Sequence, residues 1–323
     1  MIKLNDVKKY YGDFKALDGI SFEISKGEIV AFLGPNGAGK TTTMRIISNY
    51  FPASSGKVSI KGLSLEDGRR FIGYMPESNP LYPEMFVEDY LRYVLKLRGI
   101  KKGSGIKKAV EQCSLAGVMS KKIGELSKGY KQRVGLAASI VHDPEILILD
   151  EPTIGLDPNQ IREIRALIKD LGSEKTVIIS THILSEAEAM ATRIIIINEG
   201  SLALDRPADK LESFFSQEII LNFGEFPGDI EELNKIKGVE NIAREKNGVE
   251  IAYERGNDIR GEVFSLCAEK KWKVVEMYTR KKGLEEIFKK LTSGNGSGNS
   301  EGLVSDVKAQ GENDAQVQNG DTG

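Results

Sequence analysis

The chain has 323 residues, and its 45 lysine and arginine residues against 47 aspartate and glutamate residues give a formal net charge of −2. This length suits one domain of ordinary size plus a smaller one, and the balanced charge argues against a nucleic-acid partner. Cys113 and Cys267 have no metal-ligand spacing, so we interpret both as packing residues in a reducing compartment. The charged first residues argue against a signal peptide, and no apolar run approaches the roughly 18 residues that span a bilayer. We therefore expect a cytoplasmic protein.

The beginning of the chain predicts two strands joined by a turn. Residues 2–7 and 20–24 alternate between apolar and polar side chains, and a turn lies between them at residues 12–13. Tyr11, at the end of the first strand, could stack on an adenine ring, because every base offers a π-face. A half-buried strand aromatic explains the same residue equally well, so the residue alone leaves both interpretations open.

The most informative stretch lies between an apolar run at residues 29–33 and a helix-like pattern at residues 42–47. It has the spacing G-x-x-x-x-G-K-[ST] of a phosphate-binding loop in the required context of strand, turn and helix. Lys40 can reach the β- and γ-phosphates, and the Thr41 hydroxyl can ligate Mg²⁺. An ordinary glycine-rich turn would leave the lysine and both flanks unexplained. We predict that a nucleoside triphosphate is bound by Gly34, Pro35, Asn36, Gly37, Ala38, Gly39, Lys40, Thr41 and Thr42.

A second chemical pattern is an aliphatic run at residues 146–149 that ends in two acids. Such a run predicts a buried parallel strand that delivers its last side chains to the carboxyl edge of the sheet. Asp150 is placed to hold Mg²⁺, and Glu151 to polarise a water aimed at the γ-phosphate. An acidic pair often merely caps a helix, but its place downstream of a complete phosphate loop favours the functional interpretation.

The chain contains two histidines, which we interpret differently. Residues 177–180 predict another buried strand, and His182 follows it on the side where the phosphates should lie, so it is a candidate γ-phosphate contact. His142 precedes a proline in a turn between a helix and a strand, and we interpret it as structural. Helical patterns at residues 87–97 and 105–115 indicate a helical insert between the two halves of a nucleotide-binding sheet.

Taken together, these residues resemble the ATPase subunits of ABC transporters over about residues 1–215. The resemblance implies an α/β fold of the P-loop NTPase class, with a mixed-sheet core and a helical subdomain at about residues 78–140. It also implies ATP and Mg²⁺ as cofactors, and hydrolysis that depends on Lys40, Glu151 and His182. Tyr11 matches the family's adenine-stacking aromatic. The matching motifs are Walker A at 34–42, the signature at 126–130, Walker B at 146–151, the D-loop at 155–157 and the switch histidine at 182.

Two positions depart from the usual family pattern. Glu77 stands where the family usually has glutamine, and a carboxylate can ligate Mg²⁺ or its water but donates no hydrogen bond while ionised. The signature reads Ser-Lys-Gly rather than Ser-Gly-Gly, so Lys128 adds a positive charge that faces either phosphate or solvent. The resemblance implies nucleotide contacts from Ser127, Lys128 and Gly129. It implies Mg²⁺ contacts from Thr41, Glu77 and Asp150.

The resemblance also implies partners. Two ATPase domains of this family form a head-to-tail sandwich in which each signature completes the other's nucleotide site, so the chain would pair with a copy of itself or a related subunit. An integral membrane permease would hold it at the inner face of the cytoplasmic membrane. The expected docking surface is Leu81, Tyr82, Met85 and Phe86, which could instead form the core of the helical subdomain.

Within the family, residues 72–82 are similar to the ABC-2-type export branch and, more narrowly, to ATPases of gliding motility. Two rival functions stay open. One is a soluble ABC-type ATPase with a non-transport role, although such proteins usually carry two ATPase domains or a long coiled-coil insert. The other is a regulatory domain that binds ATP without turnover, which Glu151 and His182 argue against.

From Glu218 the pattern restarts in the order β-α-β-β-α-β, which predicts a small ferredoxin-like α+β domain over residues 216–291. Its helices are predicted at residues 229–236 and 258–269, with a last short helix at residues 283–291. We interpret this domain as a regulatory or dimer-supporting module. Residues 292–323 are rich in Gly, Ser, Asn and Asp, which predicts a disordered tail.

Overall fold

The computed structural model describes residues 1–100, 104–211, 217–253, 257–281 and 288–289. Contacts divide the chain into two units, Met1–Arg206 and Pro207–Lys290. The predicted domain limits at residues 215 and 291 lie outside the described residues and stay predictions. Within the described ranges, no helix is both long and apolar enough to cross a membrane.

The first unit alternates strands with helices, and short 3₁₀ turns join some of them. Its elements are β1 (Ile2–Tyr11), β2 (Phe14–Ile24), β3 (Ile29–Leu33), α1 (Lys40–Ile47), β4 (Ser55–Ile60), β5 (Leu63–Ser64), α2 (Leu65–Gly68), β6 (Ile72–Met75), α3 (Val87–Leu97), α4 (Ser104–Gln112), α5 (Lys128–Ile140), β7 (Ile146–Asp150), α6 (Pro158–Gly172), β8 (Thr176–Thr181), α7 (Leu184–Met190), β9 (Arg193–Asn198) and β10 (Ser201–Pro207).

The main sheet of this unit has six strands in the order β10-β9-β3-β8-β7-β6. The neighbours from β9 to β6 run parallel. Every residue of β3, β7 and β8 is buried, which explains the unbroken aliphatic runs in the sequence. Because parallel strands end at the same edge, the loop after β3, the acids at the end of β7 and the residues after β8 meet there.

A second, antiparallel sheet has the order β2-β1-β4-β5. Its apolar face shares one core with the main sheet and α1, in which the rings of Phe22 and Phe32 lie 5.3 Å apart. Met44 of α1 is fully buried in the same core. Burial of this helix against both sheets fixes its N-terminus, and with it the end of the phosphate-binding loop.

The helical insert packs into a core that it shares with α6 and with one face of the main sheet, including residues of β7 and β8. Cys113 is buried in it, as the packing interpretation predicts. Leu81 and Met85 are partly buried against the same core, so the alternative interpretation holds for these two residues. Tyr82 is 52% exposed and Phe86 44% exposed, so both stay candidates for docking. The apolar face of α3 consists of Val87, Tyr90, Leu91 and Leu95, at the spacing of an amphipathic helix.

The second unit contains the strands β11 (Gln217–Phe223), β12 (Val239–Arg244), β13 (Gly248–Tyr253) and β14 (Val274–Lys281). They form an antiparallel sheet in the order β12-β13-β11-β14. This order confirms the predicted ferredoxin-like arrangement. The first predicted helix is instead a 3₁₀ helix at Ile230–Lys235, because glycines at 228 and 238 leave too few residues for a stable α-helix. The predicted last helix lies outside the described residues except at 288–289, and the predicted tail lies wholly outside them. The α-helices of this unit within the described residues are α8 (Ala208–Leu211) and α9 (Arg260–Glu269).

Candidate nucleotide site

The phosphate-binding loop joins β3 to α1 at the carboxyl edge of the main sheet. Gly39, immediately before α1, has a φ of 108°, and a Cβ there would lie 2.7 Å from Leu17 Cδ2, so only glycine fits. No side chain caps α1, so the first N–H groups of this helix lack intrahelical partners and can bind an anion. Lys40 Nζ donates hydrogen bonds to the carbonyl oxygens of Gly34 at 2.7 Å and Pro35 at 3.1 Å.

Lys40 is buried, with 6% of its surface exposed. Burial lowers the pKa of its ammonium, while the negative charges of Glu151, Asp150 and Glu77 oppose that shift. The structure therefore brings Lys40 together with the three acids that the sequence predicts around it. An ammonium surrounded by these charges and by carbonyl oxygens is suited to meet the phosphates of a nucleotide.

Asp150 ends β7 and receives two hydrogen bonds on one oxygen. The Thr41 hydroxyl donates to Asp150 Oδ1 at 3.1 Å, and the Ser180 hydroxyl donates to the same atom at 2.6 Å. The other oxygen, Oδ2, is buried and has no hydrogen-bond partner among the described residues. A buried carboxylate oxygen without a donor is costly unless a cation reaches it. This donor set, a carboxylate beside a hydroxyl, fits Mg²⁺.

Glu151 follows β7 and His182 follows β8, and their side chains contact each other at the same edge of the sheet. His182 Nδ1 lies 2.9 Å from Glu151 Oε2. The Glu151 backbone has a φ of 49°, and its N–H donates to the Ser180 hydroxyl at 2.8 Å. Burial raises the pKa of the Glu151 carboxyl, and the neighbouring His182 and Lys40 act in the opposite direction. The His182 side chain remains 47% exposed, so it can still meet a ligand.

Behind these residues lies a buried cluster that the sequence analysis missed. Glu186 of α7 is 1% exposed, and its Oε2 accepts hydrogen bonds from Thr153 at 2.7 Å and Thr181 at 3.1 Å. Arg165 lies 3.4 Å from its other oxygen. The cluster thus ties the turn after β7 to the end of β8. In the sequence, this cluster is indicated by Ser180 and Thr181, two hydroxyl residues at the end of the buried strand β8 that need polar partners.

Two other predicted site residues, Tyr11 and Glu77, are exposed, whereas the structural candidate His142 is partly buried. Tyr11 is 47% exposed, and its ring lies 6.0 Å from that of Phe51 in an edge-to-face arrangement. Glu77 is exposed, and its charge reaches Lys40. His142 Nε2 lies 3.1 Å from the carbonyl oxygen of Ile72. Burial lowers the pKa of His142 to about 4, in agreement with the structural interpretation.

The signature segment lies at the start of α5 and packs against α6. Ser127 is the N-cap of α5 and accepts a hydrogen bond from the Tyr130 N–H at 3.4 Å. A Cβ at Gly129 would lie 2.8 Å from Gln160 Cδ, so the start of α5 packs closely on the start of α6. Among the described residues, no hydrogen bond or ion pair joins the signature to Lys40 or Asp150.

Comparisons with known proteins agree with this site. The ABC transporter family model matches residues 17–154, and a model described as an AAA domain, putative AbiEii toxin of a Type IV TA system, matches residues 122–188. The bacitracin transport ATP-binding protein BcrA of Bacillus licheniformis is 33% identical over 300 residues, which cover 91% of this chain and 98% of that protein. The Nod factor export ATP-binding protein I of Rhizobium etli is 34% identical over 241 residues, which cover 72% of this chain and 76% of that protein.

Among solved structures, the dimeric structure of a bacterial ABC transporter cassette matches with a TM-score of 0.59 and 28% identity, covering 64% of this chain and 99% of that one. None of these names mentions gliding motility, and that narrower similarity stays a prediction. The relative with 33% identity matches almost end to end. Together with the phosphate loop and the acids at the same sheet edge, this shows that the chain belongs to the ATP-binding, ATP-hydrolysing subunits of ABC transporters.

Proposed function

We propose that this chain powers an exporter by binding ATP, closing into a dimer and hydrolysing the nucleotide. The observation that carries the proposal is the contact between Glu151 and His182 beside Lys40 at one edge of the sheet. A chain that only bound ATP would need the loop but not this pair. The named relatives support export as the direction, since one of them is a Nod factor export protein.

In this proposal the loop residues 34–42 wrap the phosphates, and Lys40 neutralises charge on the β- and γ-phosphates. Its present acceptors, two loop carbonyl oxygens, show that the ammonium already points along the loop. Tyr11 stacks on the adenine, and its exposed ring is free to do so. Thr42 and the other loop residues contribute mainly through backbone N–H groups.

Mg²⁺ would be held by the Thr41 hydroxyl and by Asp150, whose buried Oδ2 lacks another donor. When bound there, the ion would neutralise negative charge on the phosphates. Glu77 is the proposed outer contact to the metal through its water shell. Its exposed carboxylate and its charge interaction with Lys40 support that position.

Glu151 is the proposed general base, which takes the proton from the attacking water. Its burial raises the pKa of the carboxyl, and a base whose pKa is closer to the working pH transfers protons more effectively. His182 orients this carboxylate through the 2.9 Å contact and, with its exposed ring, reaches the γ-phosphate. Ser180 and the Glu186 cluster keep both residues in place.

The second proposed nucleotide-binding surface is the signature, Ser127 to Gly129, which among the described residues has no hydrogen bond or ion pair to Lys40 or Asp150. We propose that it closes on the ATP of a second ATPase subunit, as the similarity to a dimeric cassette supports. A γ-phosphate contacted from both subunits would shift the equilibrium towards the closed dimer. A membrane permease, contacted through the exposed Tyr82 and Phe86, would convert closure into transport and keep the chain at the inner face of the membrane.

The test is phosphate release by the purified full-length protein with Mg²⁺ and ATP. Lys40→Ala should lose most ATP affinity, whereas Lys26→Ala, which removes an exposed lysine on the β2–β3 turn, should not. Glu151→Gln should bind ATP and release almost no phosphate. Unchanged ATP affinity in Lys40→Ala, or undiminished turnover in Glu151→Gln, would contradict the proposal. Failure to co-purify with any integral membrane protein would favour the soluble, non-transport alternative.

A further inference from the structure

The backbone that follows Glu151 is held by a buried side chain of α5. Gln132 is 5% exposed, and its Nε2 donates to the carbonyl oxygen of Pro152 at 2.9 Å. On the other side of the acid, the Glu151 N–H donates to the Ser180 hydroxyl at 2.8 Å. Glu151 is therefore held by one hydrogen bond before it and one after it, and the two partners come from different elements, β8 and α5.

The backbone of Glu151 needs such support because its conformation is unfavourable. Its φ of 49° lies in the left-handed region, which residues other than glycine adopt uncommonly. A conformation of this kind persists only where its surroundings fix it, and such positions concentrate at functional sites. The next residue, Pro152, has no N–H. Its carbonyl oxygen is therefore the main-chain group that a neighbouring side chain can hold.

The orientation of the Gln132 amide is fixed by Asn79, which lies in the loop between β6 and α3. Asn79 Nδ2 donates to the carbonyl oxygen of Lys131 at 2.9 Å and to Gln132 Oε1 at 3.2 Å. Because a carbonyl oxygen only accepts, the Asn79 amide must present its NH₂ group to Lys131, and the same group meets the oxygen of Gln132. Gln132 then has its own NH₂ group towards the carbonyl oxygen of Pro152. One set of amide orientations satisfies all three hydrogen bonds.

Close packing keeps Asn79 in this position. A Cβ at Gly135, one turn further along α5, would overlap Asn79 Oδ1, so glycine there leaves room for the amide. Asn79 has a φ of 41°, which asparagine adopts more readily than most residues. Its loop also contains Glu77 and the exposed Tyr82. The hydrogen bonds thus join this loop to α5, and α5 to the turn after β7.

We propose that Gln132 is a positioning residue for ATP hydrolysis, which holds Glu151 in place through Pro152, and that Asn79 makes this support depend on the loop between β6 and α3. The inference rests on the general-base role of Glu151 proposed above. Gln132 acts through the backbone alone, so its loss slows the chemical step and leaves ATP affinity unchanged. A displacement of the loop frees the Gln132 amide, so the same contacts let the helical insert regulate the rate of hydrolysis.

The experiment measures phosphate release and ATP affinity of the purified full-length protein with Mg²⁺, well below the melting temperature of each variant. Gln132→Met keeps the length of the side chain but loses both hydrogen bonds. Its kcat should fall by about tenfold or more, because a small displacement of a catalytic group is costly. The KM and the dissociation constant of ATP should stay within about twofold of the parent values.

Arg133→Gln is the matched control, and its kcat should stay near that of the parent. Arg133 is the next residue of α5, and it donates to the carbonyl oxygen of Cys113 and to Glu163 rather than to Pro152. A kcat of Gln132→Met equal to that of Arg133→Gln would overturn the inference. A kcat that falls only together with a weakened affinity for ATP would overturn it as well, because that result indicates a general disturbance of the site.

A second substitution tests whether Gln132 acts through Glu151. In a Glu151→Gln background, Gln132→Met should not reduce the small residual release of phosphate any further, and an additive loss would overturn the inference. All these contrary results leave the proposed function intact. Undiminished turnover in Glu151→Gln alone would instead overturn the proposed function, and this inference with it.

The part assigned to Asn79 is tested by Asn79→Gly, which removes the amide while glycine tolerates the positive φ. Its kcat should fall at an unchanged KM, and the substitution should add nothing to Gln132→Met, whereas additive losses would refute that part. If Gln132→Met does not fold, Asn79→Gly decides the inference by itself, since a kcat equal to that of the parent would overturn it.

Discussion

The Ser180 hydroxyl connects the two acids of the nucleotide site, and its removal is the sharpest structural test of that site. Ser180 is fully buried, donates to Asp150 Oδ1 at 2.6 Å and accepts from the Glu151 N–H at 2.8 Å. Ser180→Ala removes both hydrogen bonds and leaves the cavity of a single oxygen atom. Asp150 keeps its bond from Thr41, but the Glu151 N–H is left without its acceptor.

The expected loss of stability follows from these two bonds. A hydrogen bond to a charged group contributes about 1.5–3 kcal/mol, and a buried unpaired N–H costs about 1–3 kcal/mol. Because the chain relaxes in part, we expect the free energy of unfolding to fall by about 3 kcal/mol in total. Such a loss lowers the melting temperature of a unit of this size by about 6–12 °C. Turnover should fall by about 100-fold, because Glu151 with its φ of 49° loses the bond that holds its backbone in place.

The assay is thermal unfolding followed by far-UV circular dichroism, together with phosphate release. The chain's single tryptophan, Trp272, packs against Phe223 in the second unit, so its fluorescence follows that unit separately. Ser139→Ala is the control, since Ser139 is also buried but only donates to the Leu136 carbonyl oxygen within its own helix. A Ser180→Ala protein as stable and active as Ser139→Ala would show that the Ser180 hydroxyl does not hold the two acids in place.

Two further predictions concern pH and metal. Burial holds the pKa of His142 at about 4 in the folded state, against 6.5 when unfolded, so the unfolded chain takes up a proton first and stability falls as the pH drops from 6.5 towards 4. This shift of the pKa corresponds to a loss of about 3 kcal/mol in the free energy of unfolding once the pH has fallen below both values. Urea unfolding of His142→Gln, measured between pH 5 and pH 7, should show much less change of stability with pH than the parent protein. The same pH dependence in both proteins would contradict the assignment to His142. Glu77→Gln should change the Mg²⁺ dependence of hydrolysis and Glu77→Ala should impair it more; three superimposable curves would place Glu77 outside the site.

Local patterns predicted the parts of the molecule that depend on few neighbours. The phosphate loop, Asp150 and Glu151 follow directly from buried strands, and parallel pairing of β3, β7 and β8 brings them to one edge. The periodicity of residues 87–97 likewise predicted α3. In each case a short stretch of sequence contains both the structural signal and the chemical group.

The features that the sequence did not reveal depend on packing between distant segments. The burial of Glu186 results from the way α7 lies against Thr153 and Thr181, and an acid in an amphipathic helix usually faces water. Leu81 and Met85 were expected at a docking surface, yet they are partly buried against the core that the insert shares with the main sheet. Similarly, the position of Lys128 over Gly155 joins residues of different elements.

In the proposed function, ATP itself joins two copies of this chain, or one copy and a related subunit. Light scattering of purified Glu151→Gln measures it most directly, because a variant that binds ATP without hydrolysing it should accumulate in the closed state. With Mg²⁺ and ATP we expect twice the monomer mass of 35.5 kDa, and with ADP or without nucleotide the monomer mass alone. A monomer at saturating ATP, in a preparation shown to bind ATP, would contradict the account for the homodimer.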